Sequence, residues 1–191
     1  MKRILVALVF GGAACAQNSD LGLLLGVSAV RSEVSGVRAS AELGAHMQIN
    51  YAAQLKETSG GRLYLELPLL LGGQMRASVQ NGVSASSGAI VYFTPGIRWN
   101  LPVHDRVSLY GTAGVGLAGF GGHKVTVTGR TVSTHSGFET ALAGGAGGGL
   151  DLRLSRLMSL RVEARDFITR AGLGAAGHNH VVFGFGVGFH W

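Results

Sequence analysis

A chain of 191 residues is long enough for one domain. Hydrophobic residues make up 47% of it and charged residues only 14%, well below the about 25% of a water-soluble domain; its 32 glycines follow no period of three, which excludes collagen, and its 3 prolines exclude a Pro-rich linker. The formal net charge is +6, yet no run of Lys and Arg marks a nucleic-acid surface, so no nucleic-acid partner is expected.

The first segment, MKRILVALVFGGAACAQ, has the three parts of a secretory signal. Lys2 and Arg3 form a basic start, Ile4 to Phe10 an apolar stretch, and Ala14-Cys15-Ala16 a small-x-small cleavage site. It is too short to cross a bilayer, which takes about 20 apolar residues. Residues 1–16 are therefore expected to be a signal peptide, leaving a domain at 17–191. Its loss leaves 14 of the 16 basic residues against 10 acidic ones, a charge of +4. Cleavage before Cys15 is the alternative; it would leave a lipidated cysteine, but Gly12 stands where lipoprotein processing has leucine. Cys15 is the only cysteine, so no disulfide supports the domain cut at Ala16.

Beyond the signal, apolar residues recur at every second position, the period of a strand rather than of a helix. Eight runs follow, at 20–31, 37–55, 62–75, 89–100, 107–121, 137–153, 158–168 and 180–191. The second is the clearest: odd positions from Val37 through Leu43, Met47, Ile49 and Tyr51 to Leu55 are all apolar or aromatic, and the positions between include Arg38, Glu42, His46 and Gln48. The third carries Leu63, Leu65, Leu67, Leu69 and Leu71 on one face. The fourth turns at Pro95-Gly96, where a bulge or bend is predicted. The fifth sets Val107, Leu109, Val115 and Leu117 against Gly114, Gly116 and Ala118. The sixth holds GGAGGG at 144–149 without losing parity, through Leu142, Leu150 and Leu152. The last is VVFGFGVGFHW. Connections alternate in character: RSEVSG, RASVQNGVSASSG, GHKVTVTGRTVSTHSG and TRAGLGAAGHNH are Ser/Gly/His-rich and predicted as loops, whereas KETSGG, LPVHDR and LSRL join the other pairs, the last two as tight turns.

Two closures fit such strands. A soluble barrel or sandwich turns its apolar face inward; a membrane barrel turns it outward. A wetted surface would carry Lys and Glu throughout; the polar faces instead have few lysines and many small residues, as a narrow interior requires. They also carry Arg38, Arg98, Arg161 and Arg165 against Glu42, Glu66, Asp151 and Glu163. A neutral set of ion pairs is what a low-dielectric lumen demands, because an unpaired buried charge is costly. In hydrocarbon every backbone N–H and C=O must be paired, so the strands must close on themselves. The expected fold is all-β: an eight-stranded antiparallel up-and-down transmembrane β-barrel. A barrel of that size is just wide enough for side chains to fill it, so no open pore is expected.

With its signal segment, strand count, short-turn and long-loop alternation and aromatic last strand, the chain resembles the small eight-stranded outer-membrane barrels of Gram-negative bacteria, the group of the OmpX-like proteins and the OmpA transmembrane domain. In that group the last strand is read by the outer-membrane assembly machinery through a glycine and two aromatics; the matching positions are Gly186, Phe189 and Trp191. Phe is the usual last residue, and the position two before the glycine, here Gly184, is usually polar. The resemblance implies an outer-membrane location with both termini in the periplasm, and the longer loops outside. Those loops carry Arg31, Arg76, Lys124, Arg130 and Arg170 against Glu33. This rim would suit lipopolysaccharide phosphates, or is scattered solvated charge.

The group includes structural proteins, adhesins and lipid-modifying enzymes. The expected function is a non-enzymatic integral outer-membrane protein, structural or recognising an external ligand through its loops, with outer-membrane lipid and lipopolysaccharide as partners. One alternative is a barrel acyl hydrolase acting on lipid A. It needs Ser, His and an acid in reach; His135, Ser136 and Glu139 are the nearest cluster, but neighbours in a strand point to opposite faces. Another is a narrow channel for very small solutes. GVGLAG and GLGAAG match a dinucleotide fingerprint, but the first lies within a strand pattern and the second in a loop. His178 and His180 fall short of the ligand count of a metal site. No metal and no cofactor are expected.

Overall fold

The computed structural model describes residues 18–31, 41–79, 83–128, 131–169 and 178–191. Its strands are β1 (Ser19–Arg31), β2 (Ala41–Thr58), β3 (Gly61–Val79), β4 (Val83–Phe93), β5 (Gly96–His104), β6 (Val107–Thr128), β7 (Thr131–Arg153), β8 (Met158–Thr169) and β9 (His178–His190). β4 and β5 are two halves of one stave, both lying between β3 and β6. Each stave pairs antiparallel with its neighbours in chain order, and β9 returns to pair with β1. Among the described residues the result is a closed barrel of 8 antiparallel staves without a helix.

Closure is sealed at the chain ends. The Ser19 N–H donates to the Trp191 carbonyl at 2.8 Å, and the Trp191 N–H to the Ser19 carbonyl at 3.1 Å. The β1–β9 ladder then runs without a shift from Asp20↔His190 to Arg31↔Asn179. The start of β1 and the end of β9 lie at the short-turn end of the barrel, with the Ser59-Gly60, Asp105-Arg106 and Leu154–Leu157 connections. At the opposite, long-hairpin end the strands run further than the sequence pattern indicates. GHKVTVTGRTVSTHSG, predicted as a loop, is almost wholly strand, paired out to Thr128↔Thr131. Likewise RASVQNGVSASSG is paired out to Val79↔Val83. Thr and Val favour the extended backbone, and continuing the ladder satisfies backbone groups that a loop would leave to water. The first and last of the predicted loops lie mostly outside the described residues, as does the signal segment.

Pro95 interrupts its stave without inserting a residue. Phe93 pairs with Leu69 and Leu117, and Gly96 with Glu66 and Gly114, so three steps on each side match. The matched register rules out the predicted bulge; the ladder is instead interrupted at Thr94 and Pro95, because proline has no N–H for it, and the Pro95 carbonyl still accepts from Val115 N–H at 3.1 Å. True register shifts occur nearer the short turns, between Gln54 and Lys56 and between Pro102 and His104.

Facing follows parity away from these register shifts. Leu25 is 67% exposed and Val115 77%, whereas Arg98 and Arg161 are wholly enclosed. An outer surface formed by Leu, Val and Phe all around the barrel is far larger than the apolar patches water tolerates, and is the surface hydrocarbon requires. Trp99 and Trp191 stand on it toward the short-turn end, where a membrane interface favours tryptophan.

Deleting Phe189–Trp191 removes the end bonds to Ser19 and the Asp20↔His190 and Leu21↔Phe189 pairs. The truncated chain is expected to lose most of its folded fraction, read as loss of the heat-modifiable gel shift in detergent; an unchanged shift would show that closure does not need the end of β9.

Candidate functional site in the barrel interior

The inward faces of the staves fill the lumen in two layers. The layer nearer the short turns is built on Arg161 of β8. Its Nε and Nη2 donate to Asp151 of β7 at 2.6 and 2.8 Å, and its Nη1 and Nη2 to Asp20 of β1 at 3.0 and 2.7 Å. A planar guanidinium offers such a fork to two carboxylates at once, which a lysine does not. To reach Asp20 the side chain must cross β9. It does so over glycines: a Cβ at Gly22 would lie 2.6 Å from Arg161 Nη1, and one at Gly188 3.3 Å from Nη2. Asp20 also accepts from Arg98 Nη2 at 2.8 Å and stands 3.2 Å from His190 Nδ1. Arg98 lies between two rings, 5.0 Å from that of Tyr64 and 5.2 Å from that of Tyr110. Such cation–π contacts strengthen where water is excluded.

One step further in, Glu163 is the hub. It accepts from Arg165 Nε at 2.9 Å, Tyr110 Oη at 2.7 Å, Gln48 Nε2 at 2.5 Å and Asn50 Nδ2 at 3.3 Å. Arg165 also donates to Glu66 at 3.2 Å, and Thr112 donates to the same carboxylate. Among the described residues the layer holds Arg98, Arg161 and Arg165 against Asp20, Glu66, Asp151 and Glu163, three cations to four anions.

The second layer, toward the long hairpins, is aromatic and apolar. Tyr92 stacks on Phe167 at 4.4 Å with an interplanar angle of 19° and meets Phe120 edge-on at 6.0 Å. Leu70, Ile90, Ala118, Ala143 and Val182 surround them. The Tyr92 hydroxyl and His180 Nδ1 are hydrogen-bonded at 2.9 Å, so the buried phenol is not left unpaired. Gly145 makes way for this layer: a Cβ there would lie 3.1 Å from the Phe167 ring.

A family model described as outer membrane protein beta-barrel domain matches residues 4–190. The chain belongs to that family. Solved members of the outer-membrane barrel class superpose on it. Ail, the attachment invasion locus protein of Yersinia pestis, is 15% identical, with a TM-score of 0.53 over 91% of this chain and 99% of its own. The outer membrane protease OmpT of Escherichia coli is 8% identical, with a TM-score of 0.60 over 93% and 98%. The outer membrane enzyme PagL is 15% identical, with a TM-score of 0.53 over 85% and 97%. At these identities the likeness is one of fold. No curated protein matches the sequence.

Within this outer-membrane barrel, Glu66, Arg98, Asp151, Arg161, Glu163 and Arg165 all face the lumen and meet. Arg38, and the side chain of Glu42, lie outside the described residues, as do the side chains of Arg31, Glu33, Arg76, Lys124, Arg130 and Arg170. Asp20 was not among the expected charges, although it shares inward parity with Gly22 and Leu24. Tyr64, Tyr92, Tyr110 and Phe167 were also missed as lumen residues, although Phe167 continues the odd face of Arg161, Glu163 and Arg165. His46, on the polar face of the second run, is inward and buried, but neither ring nitrogen has a hydrogen-bond partner among the described residues. Gly186 faces inward against the β1 backbone, whereas Phe189 and Trp191 stand on the outer surface. Ser136 and Glu139 are three residues apart in the extended β7, and so fall on opposite faces; the side chains of His135 and His178 are outside the described residues. Gly114, Gly116 and Gly119 lie within β6, with no helix after them.

Replacing Arg161 by Met leaves Asp20 and Asp151 short of their main counter-charge in an enclosed space. Arg161→Met is expected to cost about 3–5 kcal/mol in urea unfolding from phospholipid vesicles. Arg62→Met, which removes the half-exposed pair with Glu57, is expected to cost less than about 1 kcal/mol.

Proposed function

We propose that this chain is a non-enzymatic integral barrel of the outer membrane, closed to solutes, which holds its long hairpins clear of the membrane for a structural or surface-recognition role. The observation that carries this reading is the filled lumen. The charge layer and the aromatic layer together occupy the cross-section, and each ties several staves to one another. A narrow channel would need a continuous wet path past Arg161, Glu163 and the Tyr92–Phe167 stack, side chains that are almost wholly buried.

The strand lengths support the role given to the hairpins. A stave needs about 9–11 residues to cross the hydrocarbon, and β6 and β7 have 22 and 23. Roughly half of each therefore stands beyond the bilayer as a paired ribbon. In this reading the short turns and both termini face the periplasm, residues 1–16 are the export signal, and Gly186, Phe189 and Trp191 serve the assembly machinery. The exposure of Phe189 and Trp191 on the outer wall is consistent with that last role. OmpT is a protease and PagL an enzyme. The acyl-hydrolase alternative for this chain rests on Ser136, Glu139 and His135, and in the extended β7 the serine and the glutamate diverge.

The purified protein reconstituted in planar bilayers is expected to give no steady conductance; reproducible open-channel current would overturn the closed lumen. Expression in a Gram-negative host is expected to leave the acyl pattern of lipid A unchanged by mass spectrometry. Loss of an acyl chain that His135→Ala abolishes would establish the hydrolase instead.

A further inference from the structure

At the short-turn mouth of the barrel, above the Asp20–Arg161 pair, lies a cavity of about 300 Å³. Its floor is Asp20, Tyr64 and His190, and its walls are Arg62, Arg153 and Arg156. Leu157 and Trp191 form its lip. Arg62 is engaged by Glu57 at 2.9 Å. Arg153 and Arg156 have no carboxylate partner among the described residues, and both are exposed. The floor carboxylate does not repel an anion, because Asp20 is already held by Arg98 and Arg161 and faced by His190.

The two free guanidiniums sit on a firmly built turn. The Leu154 and Ser155 N–H groups donate to the Met158 carbonyl at 2.9 and 3.0 Å, and Leu157 N–H donates to Ser155 Oγ at 3.2 Å. His190 N–H donates to the Leu157 carbonyl at 2.9 Å and Arg153 N–H to the Arg106 carbonyl at 2.7 Å, which ties the turn to β9 and to the preceding turn. The sequence of this turn, Arg-Leu-Ser-Arg-Leu, sets each arginine beside a leucine. Leu154 is 52% and Leu157 64% exposed, and with Trp191 they prolong the apolar outer wall that begins at Leu152 and Phe189.

We propose that this mouth binds the headgroup of an anionic phospholipid, with Arg153 and Arg156 on the phosphate and Leu157 and Trp191 against the acyl chains. Guanidinium forks match phosphate oxygens, and a rigid turn loses little freedom on binding. A free anion would use the arginines but not the apolar lip; the unbroken passage from guanidinium to leucine to membrane wall is what points to a lipid. The proposal rests on the reading of the chain as membrane-embedded, but not on which compartment the short turns face.

The test is native mass spectrometry of the folded protein in a neutral detergent, given an equimolar mixture of phosphatidylglycerol and phosphatidylcholine of the same chain length. Wild type is expected to retain phosphatidylglycerol in clear preference, with about fivefold contributed by each free guanidinium. Arg153→Gln and Arg156→Gln should each lower the preference and together abolish it. Arg156→Lys should lose part of it, and Lys56→Gln, outside the cavity, should keep it. The heat-modifiable gel shift of every variant separates a failure of the barrel from a failure of this site. Equal retention of the two lipids by wild type, or an undiminished preference in the folded double variant, would overturn the proposal. Displacement of phosphatidylglycerol by inorganic phosphate at comparable concentration would also overturn it, in favour of a free-anion site.

Discussion

Arg161 reaches across a strand. Its own stave is β8, its partners are on β7 and β1, and β9 lies between β8 and β1. The interaction therefore spans the seam where the end of the sheet meets its beginning. Its reach accounts for small residues beneath it: Gly22 and Gly188 face one another across the seam, and a Cβ at Gly22 would crowd the guanidinium while one at Gly188 would meet Ser159 Oγ and press on Arg161 Nη2. The glycines on the inner face of the last strand have different neighbours: Gly188 lies beneath Arg161, Gly186 against the β1 backbone and Gly184 against Leu24, while the aromatic face of the same strand belongs to the lipid.

The inversion of solvent explains why such a lumen is tolerated. In a water-soluble protein an apolar interior is the driving force for folding. Here the apolar residues have a solvent of their own outside, and the interior is left to groups that pair with one another. Buried ion pairs give little net stability relative to well-packed apolar residues, but losing one partner is severe. The charge layer is better understood as a constraint on which staves may meet than as a source of stability. The aromatic layer stabilises differently, through area: burying rings such as Tyr92 and Phe167 contributes roughly 1.5–3 kcal/mol each.

The strand period made most of this architecture legible. Parity places Leu65 outside and Glu66 inside without any knowledge of neighbours, because a pleated strand has only two faces. What parity leaves open is which inward residues meet. Arg161 and Asp20 are 141 positions apart, and Gln48 and Glu163 are 115 apart; their meeting depends on the stagger of eight paired staves. Asp20 was overlooked because it begins its run, before the alternation is established. The long hairpins were misjudged for a different reason. Ser, Thr and Gly between periodic segments suggest a loop, yet Thr126, Thr128, Thr131 and Ser133 sit on a ladder whose hydrogen bonds do not depend on apolar alternation.

The pairing of β1 with β9 also carries a consequence in time. Neighbouring hairpins close over short stretches of chain, whereas the seam joins residues from opposite ends of the domain, and loop closure over long separations slows folding. The contacts of Arg161 divide along the same line. Asp151 is 10 residues away and is met as soon as β7 and β8 pair; Asp20 is met only when the cylinder shuts. Until then Asp20 lacks its Arg161 partner at the leading edge of an open sheet. Its charge opposes entry of that edge into hydrocarbon, so shutting the cylinder also completes the set of counter-charges, Arg98 and Arg161, around its first carboxylate.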